Sequence, residues 1–278
     1  MAIETAKRLE VRQSQLVKFE MCGEAYRRQY VEGEKDLSGT AALRGSGVHG
    51  GAQVNHVQKK KTGKDLPKKD IIEAAVAAFE ARKTNEGFRL TPDEQSIGVS
   101  PTMARTVQTI TVLSGLYADQ VAPKIDPDLI EEKITVEIPG TDVDLAGTID
   151  LSTKDGRLKD FKTANRSKSQ KDADESLQLT LYDFLYEKKT GRKPAGVDLE
   201  VLVDLKTPKH QQISTVRTQR DRQVLFNRTN VMLKSRQAGI FAPAQVGSWI
   251  CSPKWCGFWD TCPFVNSERM AAAAKNED

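Results

Sequence analysis

Long apolar runs are missing. Nowhere do the 278 residues approach the ~20 consecutive apolar positions that a membrane-crossing helix needs. Met1 to Glu10 carries charges where a secretion signal would need an apolar stretch. The expectation is therefore an intracellular, cytoplasmic protein that neither spans a membrane nor is exported. Net charge is small: 42 Lys and Arg against 38 Asp and Glu leave +4, which permits a polyanionic partner without establishing one. Cysteine is scarce, with four in the chain, and in a reducing compartment such thiolates serve metals or chemistry rather than disulfides. No Gly-x-x-x-x-Gly-Lys-Ser/Thr loop is present, so no nucleotide-driven motor is expected, and no internal repeat is found. Hydrophobic content, at 38%, is ordinary for a folded protein once glycine is added.

What is present falls into segments. Arg12 to Glu32 carries Leu16, Phe19, Tyr26 and Tyr30 at roughly helical spacing, so one or two short helices are expected around Cys22, with Ser14 as N-cap. Gly45-Ser46-Gly47 reads as a conformationally permissive stretch before His49 and His56, and Lys59-Lys60-Lys61-Thr62-Gly63-Lys64 as a solvated basic linker. Helices are expected over Asp70 to Arg82 and over Pro101 to Val121, the second with Ser100 as N-cap. From Leu129 the period changes. Ile130 to Ile138, Val143 to Leu151 and Arg157 to Thr163 read as three hairpin-linked strands, separated by turn signals at Pro139-Gly140 and Asp155-Gly156. An amphipathic helix over Ser169 to Lys189, a buried strand over Val197 to Leu205, a polar strand over Gln211 to Arg217 and a helix over Gln219 to Ala238 follow. This order predicts an α/β core with a mixed sheet.

Strand alternation puts Asp160 and Lys162 on one face, with Phe161 on the other. In the preceding strand Asp150 shares a face with Asp144 and Thr148, and the hairpin can bring Asp150 beside Asp160. Two adjacent carboxylates repel unless a hard divalent cation lies between them. A lysine two residues beyond the second acid can orient or help deprotonate an attacking water and offset charge on a phosphate. An isolated Asp-x-Lys is equally a surface strand of alternating charge. In the next helix Leu177, Leu181, Phe184 and Leu185 form an apolar stripe, flanked by Gln178 and Tyr182, which share a face at the sheet edge. His49 could complete a metal shell or serve a structural role.

In order along the chain, Ser14-Gln15-Leu16 leading to Phe19 and Cys22, Gly45-x-x-x-His49, Gly147-x-x-Asp150, Asp160-x-Lys162, Gln178-x-x-x-Tyr182 and the C-terminal cysteines resemble the RecB-like branch of the PD-(D/E)XK nuclease superfamily, over Arg12 to Phe264. The resemblance implies a restriction-endonuclease-like core, a mixed central sheet flanked by helices. It implies that His49, Asp150, Asp160 and the Phe161 carbonyl ligate Mg²⁺ or Mn²⁺, that Asp150, Asp160 and Lys162 are catalytic, and that Gln178 and Tyr182 position DNA. The middle acid is aspartate where the superfamily often has glutamate. Gly50-Gly51-Ala52-Gln53 lacks the acidic residue that some relatives carry there for a second metal. The chain then divides into an N-terminal helical region (1–128) carrying Cys22 and His49, a nuclease core (129–218), a C-terminal helix with the cysteine motif (219–264) and a flexible tail (265–278).

Cys251, Cys256 and Cys262 lie together, and Cys22 supplies a fourth thiolate from the far end of the chain. Four thiolates suit tetrahedral zinc or an iron–sulfur cluster, or stand as reduced thiols. One distant cysteine plus a C-terminal triplet resembles the iron–sulfur clasp of AddB-type nucleases and implies a structural [4Fe-4S] cluster. Trp249, Trp255, Trp259 and Phe258 crowd the same region, where they could stack on single-stranded bases or wrap the cluster. The resulting expectation is a metal-dependent DNA exonuclease acting on single strands or DNA ends in recombination, repair or replication, with a helicase or recombination protein as a possible partner. The rival is a noncatalytic iron–sulfur or zinc DNA-binding subunit.

Overall fold

The computed structural model describes residues 8–138 and 141–265, and within them the change of period near Leu129 marks the passage from helices to sheet. After a short strand, β1 (Leu9–Val11), come α1 (Gln13–Met21), α2 (Gly23–Tyr26), α3 (Thr40–Thr62), α4 (Lys68–Glu86), α5 (Pro92–Ile97) and α6 (Val99–Gln120). Then follow β2 (Pro127–Glu137), β3 (Val143–Thr153), β4 (Arg157–Ala164), α7 (Gln170–Asp174), α8 (Leu177–Thr190), β5 (Gly196–Val203), β6 (Lys209–Thr215) and α9 (Gln219–Gln237). The sheet is mixed. β1 runs parallel to β3, β2 and β4 antiparallel to β3, β5 parallel to β4, and β6 antiparallel to β5. The fold is the expected α/β arrangement, a mixed central sheet flanked by helices. None of its described helices is long and apolar enough to cross a membrane.

Each face of the sheet has its own core, because alternate residues of a strand face opposite ways. Leu158, Val197, Leu199 and Val201 pack with Leu179, Leu181 and Leu185 of α8 and Leu225 of α9. Phe161 and Leu202 pack instead with Leu43 and Val48 of α3, Phe79 of α4 and Ile110 of α6. β4 and β5, sandwiched between the two, are therefore fixed in register from both sides.

Several boundaries differ from the sequence reading. β1 lies inside the stretch read as wholly helical, since three residues are too few to show a period. Gly45 to Lys61 is neither a permissive loop nor a solvated linker but part of α3, which ends only at Gly63, in the left-handed conformation. Glycine in a helix is unfavourable by roughly 1 kcal/mol relative to alanine, and here close packing compensates. A Cβ at Gly47 would lie 3.0 Å from the Ala75 carbonyl oxygen, and one at Gly51 2.7 Å from that of Ile71, so only glycine lets α3 lie this close to α4. Ser14 and Ser100 sit inside the first turns of α1 and α6, whose caps are Arg12 and Gly98. The helix expected over Ser169 to Lys189 is broken at Glu175-Ser176, where Ser169 and Ser176 each cap a separate helix. The Pro139-Gly140 turn and the tail from residue 266 lie outside the described residues.

Beside the second core, Asp198 on β5 is wholly buried and accepts hydrogen bonds from Arg157, from Lys159 Nζ at 3.0 Å and from Ser214 Oγ at 2.7 Å. Burial alone would raise its pKa, but these donors hold it down at about 2. The stability this group contributes is therefore complete above the ordinary aspartate range and is lost as pH falls through about 2. Asp198→Asn should lower unfolding free energy by about 3–5 kcal/mol, because it strands two cations in the interior. Urea unfolding at neutral pH measures this, and the difference from the parent protein should shrink in acid.

Candidate active site

The site forms where β3 and β4 separate. Their ladder is short, with Leu151 facing Lys159 and Ser152 facing Leu158. Just beyond it the Phe161 N–H donates to Asp150 Oδ2 at 3.0 Å, so a carboxylate replaces the next strand partner. Asp150 and Asp160 are both buried, and Lys162 Nζ donates to Asp160 Oδ1 at 2.8 Å. Burial pushes Asp160 up to about 6, with Lys162 pulling it down and Asp150 adding to the rise. Burial would lower Lys162, but Asp160 and Asp150 outweigh it and keep it protonated. Of the two expected roles, Lys162 as it stands here is suited to holding charge and orienting water rather than to taking a proton.

α3 lays His49 across this opening. Its Nε2 donates to the Phe161 carbonyl oxygen at 2.6 Å. In the neutral ring Nδ1 is then a bare lone pair, and it lies 3.6 Å from Asp150 Oδ2. Two acceptors facing each other is an arrangement that a cation resolves. His56, one helical face away, is no ligand. It is buried, bonded to the Tyr117 hydroxyl at 2.7 Å, and held down at about 3 by burial.

Glu131 was missed by the sequence reading. It sits on β2 beside a shift in register between Pro127 and Ile130, and it is the one non-glycine residue among the described residues with positive φ, at 47°. Its carboxylate joins His49 and Asp150, the three offering ligand atoms that all lie within 4.8 Å of one another. Asp160 does not belong to that group. Burial, then repulsion from Asp150, pushes Glu131 up to about 7. A signal for it was available: a hairpin in which Ile138 bonds to Val143 brings Glu131 level with Asp150 by counting back along both strands.

α8 supports the site from the other side. Gln178 Nε2 donates to the Tyr182 hydroxyl at 2.7 Å, and that hydroxyl points at Asp150 Oδ1 at 3.4 Å. Tyr182 was expected to stand clear of the apolar stripe, yet it is 5% exposed and belongs to the first core. The reason is Gly147, where a Cβ would lie 2.9 Å from Leu185 and 3.5 Å from the Tyr182 ring; its absence lets α8 settle onto β3. Tyr182 is thereby placed to steady Asp150 from the interior.

The four thiols are free and line one cavity of about 750 Å³ with Val17, Met21, Ile250 and Trp259. Cys22 stands between α1 and α2, where its Sγ accepts from the Ala25 N–H at 3.5 Å. Phe258 is buried and has the Arg28 guanidinium 4.6 Å from its ring centre, whereas Trp249 and Trp255 are exposed and meet edge to face. The aromatics thus divide between wrapping the cavity and facing outward. No three of the four Sγ atoms lie within 4.8 Å of one another. Tetrahedral zinc at ~2.3 Å Zn–S would hold its sulfurs about 3.8 Å apart, so the spacing suits a larger cluster.

Comparison with known proteins agrees with this geometry. A solved structure of a candidate exonuclease from Eubacterium rectale superposes with a TM-score of 0.54 at 14% identity, covering 88% of this chain and 87% of that one, which establishes a common fold. The solved structure of SSO0001 is similar at 11% identity over 90% of this chain and 95% of that one, with a TM-score of 0.36, and nothing is argued from it. No curated protein matches the chain. The model of the PD-(D/E)XK nuclease superfamily matches residues 11–263, which include every side chain of the site just described, and the chain belongs to that superfamily.

Proposed function

We propose that the protein is a metal-dependent DNA exonuclease that hydrolyses phosphodiester bonds at single-stranded or frayed ends, in recombination, repair or replication. The observation that carries the reading is the convergence of His49, Glu131 and Asp150 on one point beside the Asp160–Lys162 pair. One nitrogen and two carboxylates suit Mg²⁺ or Mn²⁺, with Asp160 and the Phe161 carbonyl within reach as further oxygen donors. A divalent cation held there would polarise a phosphate oxygen and lower the pKa of a water molecule. The chain's own groups do the rest. Lys162 faces the developing charge on phosphorus and orients the water. The phosphorus–O3′ bond breaks, leaving a 5′-phosphate and a free 3′-hydroxyl. Gln178 and Tyr182 keep Asp150 in place, and Gln178, being only partly buried, is also available to the DNA. The absence of a motor sequence and the fold shared with the E. rectale protein favour action at ends. A helicase or recombination protein would then supply unwound strands.

For the cysteines, the common cavity and the wide sulfur spacing favour a structural [4Fe-4S] cluster over zinc. It would join residue 22 to residues 251–262 and so close nearly the whole chain into one loop.

Asp160→Asn and Lys162→Ala should each reduce cleavage at least ~10³-fold while leaving gel-shift binding and the melting temperature nearly unchanged. Wild-type rates from Lys162→Ala would sink the assignment. Glu131→Gln and Asp150→Asn should weaken Mn²⁺ binding at least ~10-fold by calorimetry. Anaerobically purified protein should be brown with about four iron and four sulfide per chain, and Cys256→Ala should lose the colour and melt at lower temperature. One zinc per chain without sulfide would overturn the cluster.

A further inference from the structure

At the far end of α3 from the site lies a second cavity, of about 460 Å³, lined by Lys59, Lys60, Gly63, Pro123, Lys124, Ile125, Asp126 and Lys154. We propose that this lysine pocket holds a backbone phosphate of the substrate DNA strand several nucleotides from the bond being cut, so that the strand is gripped at two points. The inference rests on the nuclease reading of the site at Glu131 and Asp150.

Position is the first argument. The three elements that deliver the site residues also build the pocket. Lys60 follows His49 by eleven residues on α3, about 16 Å at ~1.5 Å per residue. Lys154 follows Asp150 by four residues at the end of β3, about 13 Å at ~3.3 Å per residue. Lys124 and Asp126 precede Glu131 on the approach to β2. Site and pocket are therefore rigidly spaced. The separation equals about four to five nucleotides at a rise of ~3.4 Å.

Charge is the second. Lys61 and Lys64 are exposed beside the pocket, giving six lysines against Asp65, Asp126 and Asp128. The acids are largely engaged. Asp65 accepts from Lys59 Nζ at 2.9 Å and from Asn55 Nδ2 at 2.8 Å, and Asp126 pairs with Lys154 at 2.9 Å in a solvent-exposed contact that a phosphate can displace. Two lysines are preset by the backbone: Lys59 Nζ donates to the Ala122 carbonyl at 2.6 Å, and Lys60 Nζ to that of Asp128. Lys124 makes no hydrogen bond or ion pair among the described residues and is exposed. Fixed cations beside a free one, in a concavity rather than on a convex surface, form a receptor for a phosphodiester.

The test uses the whole protein and its double variant Lys124→Glu/Lys154→Glu, with Lys69→Glu/Lys171→Glu as a control of equal charge change at exposed positions elsewhere. Fluorescence anisotropy in EDTA reads binding of a roughly 12-nucleotide oligo(dT) as salt rises. The pocket variant should bind at least ~10-fold more weakly, with a salt slope reduced by about 1.4, two phosphate contacts at ~0.7 each, while the control is unchanged. In Mg²⁺ the same variant should raise KM for the long oligonucleotide and leave kcat and the cleavage of a four-nucleotide substrate as they were. Unchanged binding of the long strand, or equal weakening by the control, would overturn the proposal. So would displacement of the strand by inorganic phosphate at low millimolar concentration, which would assign the pocket to a free anion. Failure of the nuclease reading would look different: wild-type protein would bind the strand with the expected salt slope yet cleave nothing with Mg²⁺ or Mn²⁺.

Discussion

Two strands that part leave backbone donors and acceptors behind them, and how those groups are satisfied determines what the gap can become. Here the Phe161 N–H is taken by Asp150 and the Phe161 carbonyl by His49, so both sides of one peptide are held by side chains that can also ligate a cation. The Tyr182 hydroxyl approaches Asp150 from α8, and Glu131 reaches it from β2. A single buried carboxylate thus has contacts from a neighbouring strand, a helix on each face of the sheet and a strained residue on the strand behind. Loss of order in any of these elements would be felt at Asp150.

The two faces of the sheet contribute differently to this centre. The α8 side offers a hydroxyl within the apolar core, which can fix orientation but brings no charge. The α3 side offers an imidazole on a helix pressed against α4 through glycines, and it is the side that remains open to solvent. Rigidity comes from one face and access from the other.

What could be read from the sequence follows from the range of the interactions concerned. Asp150, Asp160 and Lys162 were legible because strand alternation is local and the hairpin between their strands is short. His49 was found as a residue but placed on a loop, since Gly45-Ser46-Gly47 signals flexibility unless the facing Ala75 and Ile71 carbonyls are known. Burial of Tyr182 depended on a missing side chain at Gly147, one strand away. Glu131 needed the register of β2 on β3, which neither strand carries by itself. The proximity of Cys22 to Cys251, Cys256 and Cys262 was legible only through family resemblance, because more than two hundred residues separate them.

Glu131 has a consequence for how this chain tolerates change. A glutamate held at φ 47° stores about 1–3 kcal/mol of backbone strain that glycine or asparagine would largely relieve. Stability and function are therefore set against each other at this one position. Selection for a sturdier fold would favour discarding the carboxylate, and a glutamate persists there only where its chemistry is in use. Engineering this scaffold for thermal robustness would have to leave its least comfortable residue untouched.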